Sequence, residues 1–252
     1  MREFELRHPG DMLKDDIVFD IISQKESKKK SLGSKRRSKL LDLGCGMGQT
    51  SKLLSQIVDT TGIDSSSVGI KIARKNVNGT FIVGDACKVP FNDEYFDYVV
   101  MKDVLEHIKN DEQAIKEARR ILKKGGSLVL FVPYSLEDSA SLEGLVKRIT
   151  GYSIDSKVGH VRRYNKDEIS EKLKGFKIEK EFYIAHFLFC IISLIGTSLF
   201  YDKRLKKDKN MNTKSFFIMN KLLKLIKAMG WVEFKLLYKV KGAGIFVVAV
   251  KS

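Results

Sequence analysis

The sequence predicts an α/β fold: a doubly wound, mostly parallel sheet of seven strands, with an antiparallel last strand and a helical insertion before it. Three observations carry this expectation. Between residues 39 and 183, short apolar runs alternate with stretches of helical period, as strands joined by crossover helices do. A glycine-rich turn follows the first of those strands directly. A strongly apolar strand at 244–250 comes after residues 184–243, which a minimal fold of this kind does not need.

Residues 39–43 read as the first strand and run into Leu41-Asp42-Leu43-Gly44-Cys45-Gly46-Met47-Gly48. A helix is expected over 49–57, with Leu53, Leu54 and Ile57 on one face. The second strand, 60–63, ends at Asp64. Residues 67–76 read as a helix, 80–83 as the third strand and 97–101 as the fourth. The stretch 112–122 is amphipathic, with Ala114, Ile115, Ala118, Ile121 and Leu122 on one side. Lys124-Gly125-Gly126 turns the chain into the fifth strand, 128–132. Beyond Pro133 a helix is expected at 142–149, then the polar segment Gly159-His160-Val161-Arg162-Arg163-Tyr164, a helix at 167–173 and the sixth strand at 176–183. The chain is expected to form one domain. It comprises an N-terminal helix and basic linker (1–38), a core (39–183), an apolar and basic helical insertion (184–243) and a last strand (244–252).

The formal net charge is +15, and it is unevenly placed. Lys25, Lys28, Lys29, Lys30, Lys35, Arg36, Arg37 and Lys39 face only Glu26 within 25–39, and residues 182–252 hold thirteen Lys/Arg against Asp202, Asp208 and Glu233. Such local charge suggests two surfaces that meet something anionic, although a lysine-rich stretch is equally well a solvated loop. Cys45, Cys87 and Cys190 have no paired spacing, which argues for a reducing, cytoplasmic setting and against a disulfide framework or a metal site. Glu3, Glu5, Asp11, Asp15 and Asp16 leave the N-terminus without the apolar run of a signal peptide.

In a doubly wound sheet, ligands bind beyond the carboxyl ends of the strands where strand order reverses. Asp42 ends the first strand, and Gly44, Gly46 and Gly48 follow at alternate positions. Glycines there let a ligand touch the backbone, and the next helix offers its N-terminal amides. The spacing is G-x-G-x-G, unlike the G-x-G-x-x-G of dinucleotide sites, which favours a different nucleoside ligand. Asp64, at the end of strand two, can accept hydrogen bonds from a ribose diol. Asp85, at the end of strand three, can accept an exocyclic adenine amine. Asp42 and Asp85 can also be read as caps of the helices that follow them.

Six segments in order resemble the class I S-adenosylmethionine-dependent methyltransferases, in particular the group called type 11. They are Leu41–Gly48, Gly62-Ile63-Asp64, Gly84-Asp85-Ala86, Phe96-Asp97-Tyr98-Val99-Val100, Val104-Leu105-Glu106-His107-Ile108 and Leu122-Lys123-Lys124-Gly125-Gly126. The resemblance implies a Rossmann-like sheet and S-adenosyl-L-methionine as cofactor. It implies that Asp42, Gly44, Cys45, Gly46 and Gly48 hold the methionine part, Asp64 with Ser65 the ribose, and Asp85 with Ala86 the adenine. Lys102 would line the methyl-donor pocket, where a small residue is more usual.

Methyl transfer is an in-line displacement at an activated sulfonium, so alignment and exclusion of water can supply much of the rate. A base is needed only when the acceptor must lose a proton of high pKa. His160, His107 and Tyr164 are the candidates, His107 being equally readable as a packed helix-start residue. Arg162 and Arg163 could clamp a phosphate or carboxylate of the acceptor, or be exposed charge ahead of a helix. The place after strand four reads Lys102-Asp103-Val104-Leu105, which lacks the Asn/Asp-Pro-Pro-Tyr turn of enzymes that methylate base amines.

Residues 182–201 carry no charge apart from His186 and reach the length of a membrane span. A span is not expected, because the chain must return to the sheet for its last strand and no second apolar run brings it back. Asp202-Lys203-Arg204-Leu205-Lys206-Lys207 follows, then an amphipathic helix over 214–229 and Trp231. These suit a helix lying on an anionic membrane surface, or one that packs on the domain, roofs the site or forms a dimer. The expected function is therefore methylation of a small-molecule or lipid-like acceptor by a cytoplasmic protein, with a peripheral membrane position as one of the two readings of the insertion. An RNA methyltransferase is the alternative suggested by charge, and nucleic acid is the less expected partner. A non-catalytic, cofactor-binding membrane adaptor is a third reading.

Overall fold

A computed structural model describes residues 9–135, 161–184 and 213–252. Seven strands form one sheet: β1 (Lys39–Leu43), β2 (Asp59–Asp64), β3 (Thr80–Val83), β4 (Phe96–Lys102), β5 (Leu122–Pro133), β6 (Phe176–Ile184) and β7 (Gly244–Lys251). Their order is β3-β2-β1-β4-β5-β7-β6. The pairs from β3 to β5 are parallel, and β7 runs antiparallel to both β5 and β6. The expected antiparallel last strand is therefore present, and it lies inside the sheet rather than at its edge. Strand order reverses between β1 and β4, which places the crevice at the carboxyl end of β1.

Alternation along the strands feeds two cores, as a sheet covered on both sides requires. Leu41, Leu43, Val99, Met101, Leu128, Leu130 and Val132 point to one face, where Ala114, Ile115, Ala118 and Ile121 of α4 (Asp111–Ile121) cover them. Leu40, Tyr98, Val100, Val129, Phe131 and Phe246 point to the other. There α1 (Pro9–Ser31) buries Leu13, Ile17, Val18 and Ile22, joined by Leu54 of α2 (Gln49–Leu54) and Ile226 of α6 (Thr213–Leu237). The helices α3 (Ser67–Asn76) and α5 (Lys166–Lys172) complete the described set. Residues 142–149, the polybasic 202–207 and the apolar stretch from 185 onward lie outside the described residues. Among the described residues no helix is long and apolar enough to cross a membrane.

Three local differences from the sequence expectation have physical reasons. Helix α2 stops at Leu54 rather than Ile57, because Ser55 caps it and the chain must turn into β2. Lys123–Gly126 does loop out, but as a bulge within β5: Phe96 pairs with Leu122 and Tyr98 with Ser127, while Gly125 sits at φ +71°. The basic stretch 25–39 is neither a loop throughout nor a bare cationic face. Its first half is helical, and Lys29, Arg36 and Lys123 converge on Asp97 while Arg37 pairs with Asp59. Lys25 pairs with Glu179.

Candidate cofactor and active site

The turn after β1 takes its shape from glycines. Gly44, Gly46 and Gly48 sit at φ +84°, +51° and +80°, backbone that residues with a Cβ adopt only under strain. The space beside them differs. A Cβ on Gly44 would come within 2.3 Å of the Val104 side chain, whereas a Cβ on Gly46 would meet nothing within 4 Å. Gly44 is therefore closed by the segment after β4, and Gly46 presents bare backbone to open space, as a ligand cradle requires.

Asp64 stands beside that opening. Its carboxylate accepts hydrogen bonds from the backbone N–H of Gly46 at 2.7 Å and of Ser66 at 2.8 Å. Both oxygens are oriented by main chain, and each keeps a lone pair. Exposed Ser65 lies next to it, and Ser66 caps α3 through Gly69 N–H. Asp85 is exposed at the end of β3, where it accepts from Cys87 N–H at 2.8 Å, with Ala86 half-buried beside it. Cys45 is buried, and burial raises its thiol above the ordinary range.

Asp42 lies beneath the turn rather than on its open side. It is 2% exposed and accepts the Ser51 hydroxyl at 2.6 Å, tying the start of α2 to β1. Burial pushes its carboxyl up to about 6, opposed by the Ser51 hydrogen bond and by Lys102. Lys102 is also enclosed: its ammonium lies 3.2 Å from Asp15 and 3.5 Å from Asp103. Asp15 accepts the Thr50 hydroxyl at 2.7 Å. Asp103, at φ +53°, is bound in turn by Lys14 at 2.6 Å. Burial alone would lower the Lys14 ammonium, but Asp103 and Asp11 hold it above the lysine range. Burial, reinforced by Asp103, pushes the enclosed Glu106 up to about 7.

Asp42 and Lys102 are candidates by position, but the enclosed charges around them, Lys14, Asp15, Asp103 and Glu106, are the part that sequence reasoning missed. One signal was available. Asp15 lies three and seven residues before Val18 and Ile22, so it shares the buried face of α1. A carboxylate on an apolar helix face implies a partner across the interface.

The acceptor-side candidates separate. His107 is exposed in the turn after β4, on the carboxyl side of the sheet. His160 lies outside the described residues. Tyr164 is 1% exposed, and its hydroxyl donates to Asp111 at 2.9 Å, with the Leu105 carbonyl at 3.1 Å as a second acceptor within reach of the same proton. Burial, then Asp111, raises its phenol above the ordinary range. Arg162 spans Asp111 and the Lys109 carbonyl, both at 2.8 Å. Lys172 reaches the other Asp111 oxygen at 2.9 Å. Burial opposes ionisation of Asp111, but Lys172, Tyr164 and Arg162 hold its carboxyl below the usual range. Arg162 and Arg163 both line a surface cavity of about 450 Å³ between α4 and α5.

A seven-stranded sheet in this order, with a glycine turn after the central strand and carboxylates at the ends of the next two, is the class I methyltransferase fold. A S-adenosylmethionine-dependent methyltransferase from Methanosarcina mazei shares it, with TM-score 0.53 and 19% identity over 86% of this chain and 94% of that one. The [4+2]-cyclase SpnF shares it too, with TM-score 0.55 and 20% identity over 94% of this chain and 81% of that one. A protein-family model described as a methyltransferase domain matches residues 41–130, the stretch that holds the turn, Asp64, Asp85 and His107. Residues 41–130 thus match a methyltransferase domain, and the fold around them is that of the class I methyltransferases. The demethylmenaquinone methyltransferase of Thermotoga maritima is 38% identical over 96 residues, 36% of this chain and 42% of that protein. That of Staphylococcus aureus is 33% identical over 128 residues, 45% of this chain and 53% of that protein. The chain spans about half the length of these curated relatives.

Proposed function

We propose that the protein transfers a methyl group from S-adenosylmethionine to a small, lipid-like acceptor of the quinone class. One observation carries the cofactor half: the bare backbone of Gly46 opens beside an Asp64 carboxylate that two N–H groups hold in place. A carboxylate fixed in that way suits a vicinal diol. The cofactor supplies a methyl on a sulfonium, and the S–C bond breaks with its electron pair going to sulfur as the acceptor–methyl bond forms. In this reading Asp64 binds the ribose hydroxyls, Asp85 and Ala86 take the adenine, and the amides of 44–48 hold the methionyl end. Asp42, Asp15 and Lys102 set the charge balance beneath that turn. His107 and His160 are the residues to which an acceptor proton would pass.

The acceptor class is supported by the names of the relatives, demethylmenaquinone methyltransferases. An RNA acceptor is supported less by the 25–39 stretch than its charge suggests, since Lys29 and Arg36 pair with Asp97, Arg37 with Asp59 and Lys25 with Glu179. The test has two arms. Calorimetry should detect S-adenosylmethionine binding, weakened at least about tenfold in Asp64→Ala, the loss expected of charge-assisted hydrogen bonds. Labelled methyl should pass into the organic phase when reduced demethylmenaquinone is offered. Binding without transfer overturns the quinone assignment; absence of binding overturns the cofactor assignment as well.

A further inference from the structure

We propose that the outward face of α6 docks on an anionic lipid bilayer. The inward face of this helix is accounted for. Leu223 and Ile226 are buried, Phe234 packs on Phe182, and Lys227 and Trp231 both reach Asp16 of α1. The opposite face carries an apolar row at helical spacing, Leu225, Met229, Val232 and Leu236, whose members are 57%, 38%, 60% and 75% exposed. Along one flank of that row stand Lys221, Lys224, Lys235 and Lys239, all exposed. Exposed apolar side chains are ordinary singly, but a contiguous row of four marks an interaction surface.

Charge decides the occupant. The only acidic residue from 213 to 252 is Glu233, and it is buried on the inward side. Two copies of this face brought together would oppose Lys221, Lys224 and Lys239 with no carboxylate of the helix to answer them, and Lys235 already interacts with exposed Asp20 of α1. A headgroup layer of negative charge over an acyl interior answers both the lysine flank and the apolar row. The placement gives the contact a use. The stretch after α6 follows the sheet rim, where Tyr183 N–H donates to the Tyr238 carbonyl and Tyr134 N–H to that of Ala243. Both lie at the carboxyl edge of β5, the edge on which the cofactor turn opens, so a bilayer held by α6 would lie near the mouth of the site.

The surface stands independently of the acceptor proposed above, because vesicle binding is read without turnover. The full chain is floated with phosphatidylcholine vesicles, with and without phosphatidylglycerol, at low and high salt. Binding only to the anionic vesicles, reversed by salt, is expected. Each cation near such a surface adds about fivefold to partitioning, so reversing Lys221, Lys224, Lys235 and Lys239 to Glu should lower the bound fraction by about a hundredfold or more. Leu225→Asp with Val232→Asp and Leu236→Asp should abolish it. Circular dichroism and cofactor calorimetry establish that both variants fold. A wild type that stays soluble with anionic vesicles at low salt overturns the proposal, as do variants that float like the wild type. So does an apolar-row variant that turns a dimer into a monomer while flotation is unchanged, which would assign the face to self-association.

Discussion

Asp15 of the N-terminal helix and Lys102 at the end of β4 meet at 3.2 Å, with the Asp15 side chain fully enclosed. Their contact joins the helix that covers one face of the sheet to the strand beside the cofactor turn. Asp15→Ala leaves Lys102 to Asp103 alone and the Thr50 hydroxyl without its acceptor. Removing one partner of a buried pair costs about 3 kcal/mol. Urea unfolding should show that loss, and S-adenosylmethionine binding should weaken with it. A variant with unchanged midpoint and affinity would mean that the pair is incidental.

The two central glycines of the turn should fail differently. Gly44→Ala drives a Cβ to 2.3 Å from Val104, so it should destabilise the whole domain, by about 2 kcal/mol or more, with partial rescue by Val104→Ala. Gly46→Ala meets open space, so beyond the backbone strain of its φ of +51°, about 1 kcal/mol, it adds no clash and should leave a folded protein that binds the cofactor poorly. Parallel thermal melts and calorimetry separate the two outcomes; equal melting losses would contradict this division.

Stability should fall as pH rises from about 4 to 7 through two enclosed acids. Asp42 is raised from 3.8 to about 6 and Glu106 from 4.5 to about 7. Each folded pKa exceeds the unfolded one, so the native state holds more protons across that window. The contribution is complete below the unfolded value and lost as pH climbs through the folded one. Asp97, Asp111 and Glu117, whose carboxyls are lowered, act in the opposite sense at lower pH. Urea midpoints from pH 5 to 8 should therefore decline less steeply in Glu106→Gln than in the wild type.

Tyr164→Phe tests whether that phenol tethers or reacts. Loss of its hydrogen bond to Asp111 should cost about 1–2 kcal/mol, a few degrees in Tm, with methyl transfer retained. A stable variant with no turnover would instead return Tyr164 to the chemistry.

The sheet is legible in the sequence because its signals are local. Leu41 and Leu43 alternate with Leu40 and Asp42, and Gly44-Cys45-Gly46 announces a turn before any partner is known. The roles of Asp15, Arg162 and Tyr164 are not local. Arg162 reads from sequence as a candidate anion clamp, and the structure adds its pairing with Asp111 beside Tyr164 and Lys172, the last carried there by α5. Asp42 reads as a ligand contact by position, yet the depth of β1 and the Ser51 hydroxyl place it under the floor of the site. Pairings between distant segments leave no periodic trace, so they appear only once the elements are packed.

Strand β7 separates β5 from β6, and among the described residues every sheet hydrogen bond that β6 makes passes to β7. During synthesis β6 emerges by Ile184, but its sheet neighbour among the described residues is completed only when Gly244 and the residues after it leave the ribosome. The nascent chain must therefore hold Phe182, Tyr183 and Ile184 against premature association over that interval, a cost typical of sheets closed by sequence-distant strands. Shortening β7 in a ribosome-stalled chain would catch the domain with its first five strands paired and its sixth still waiting.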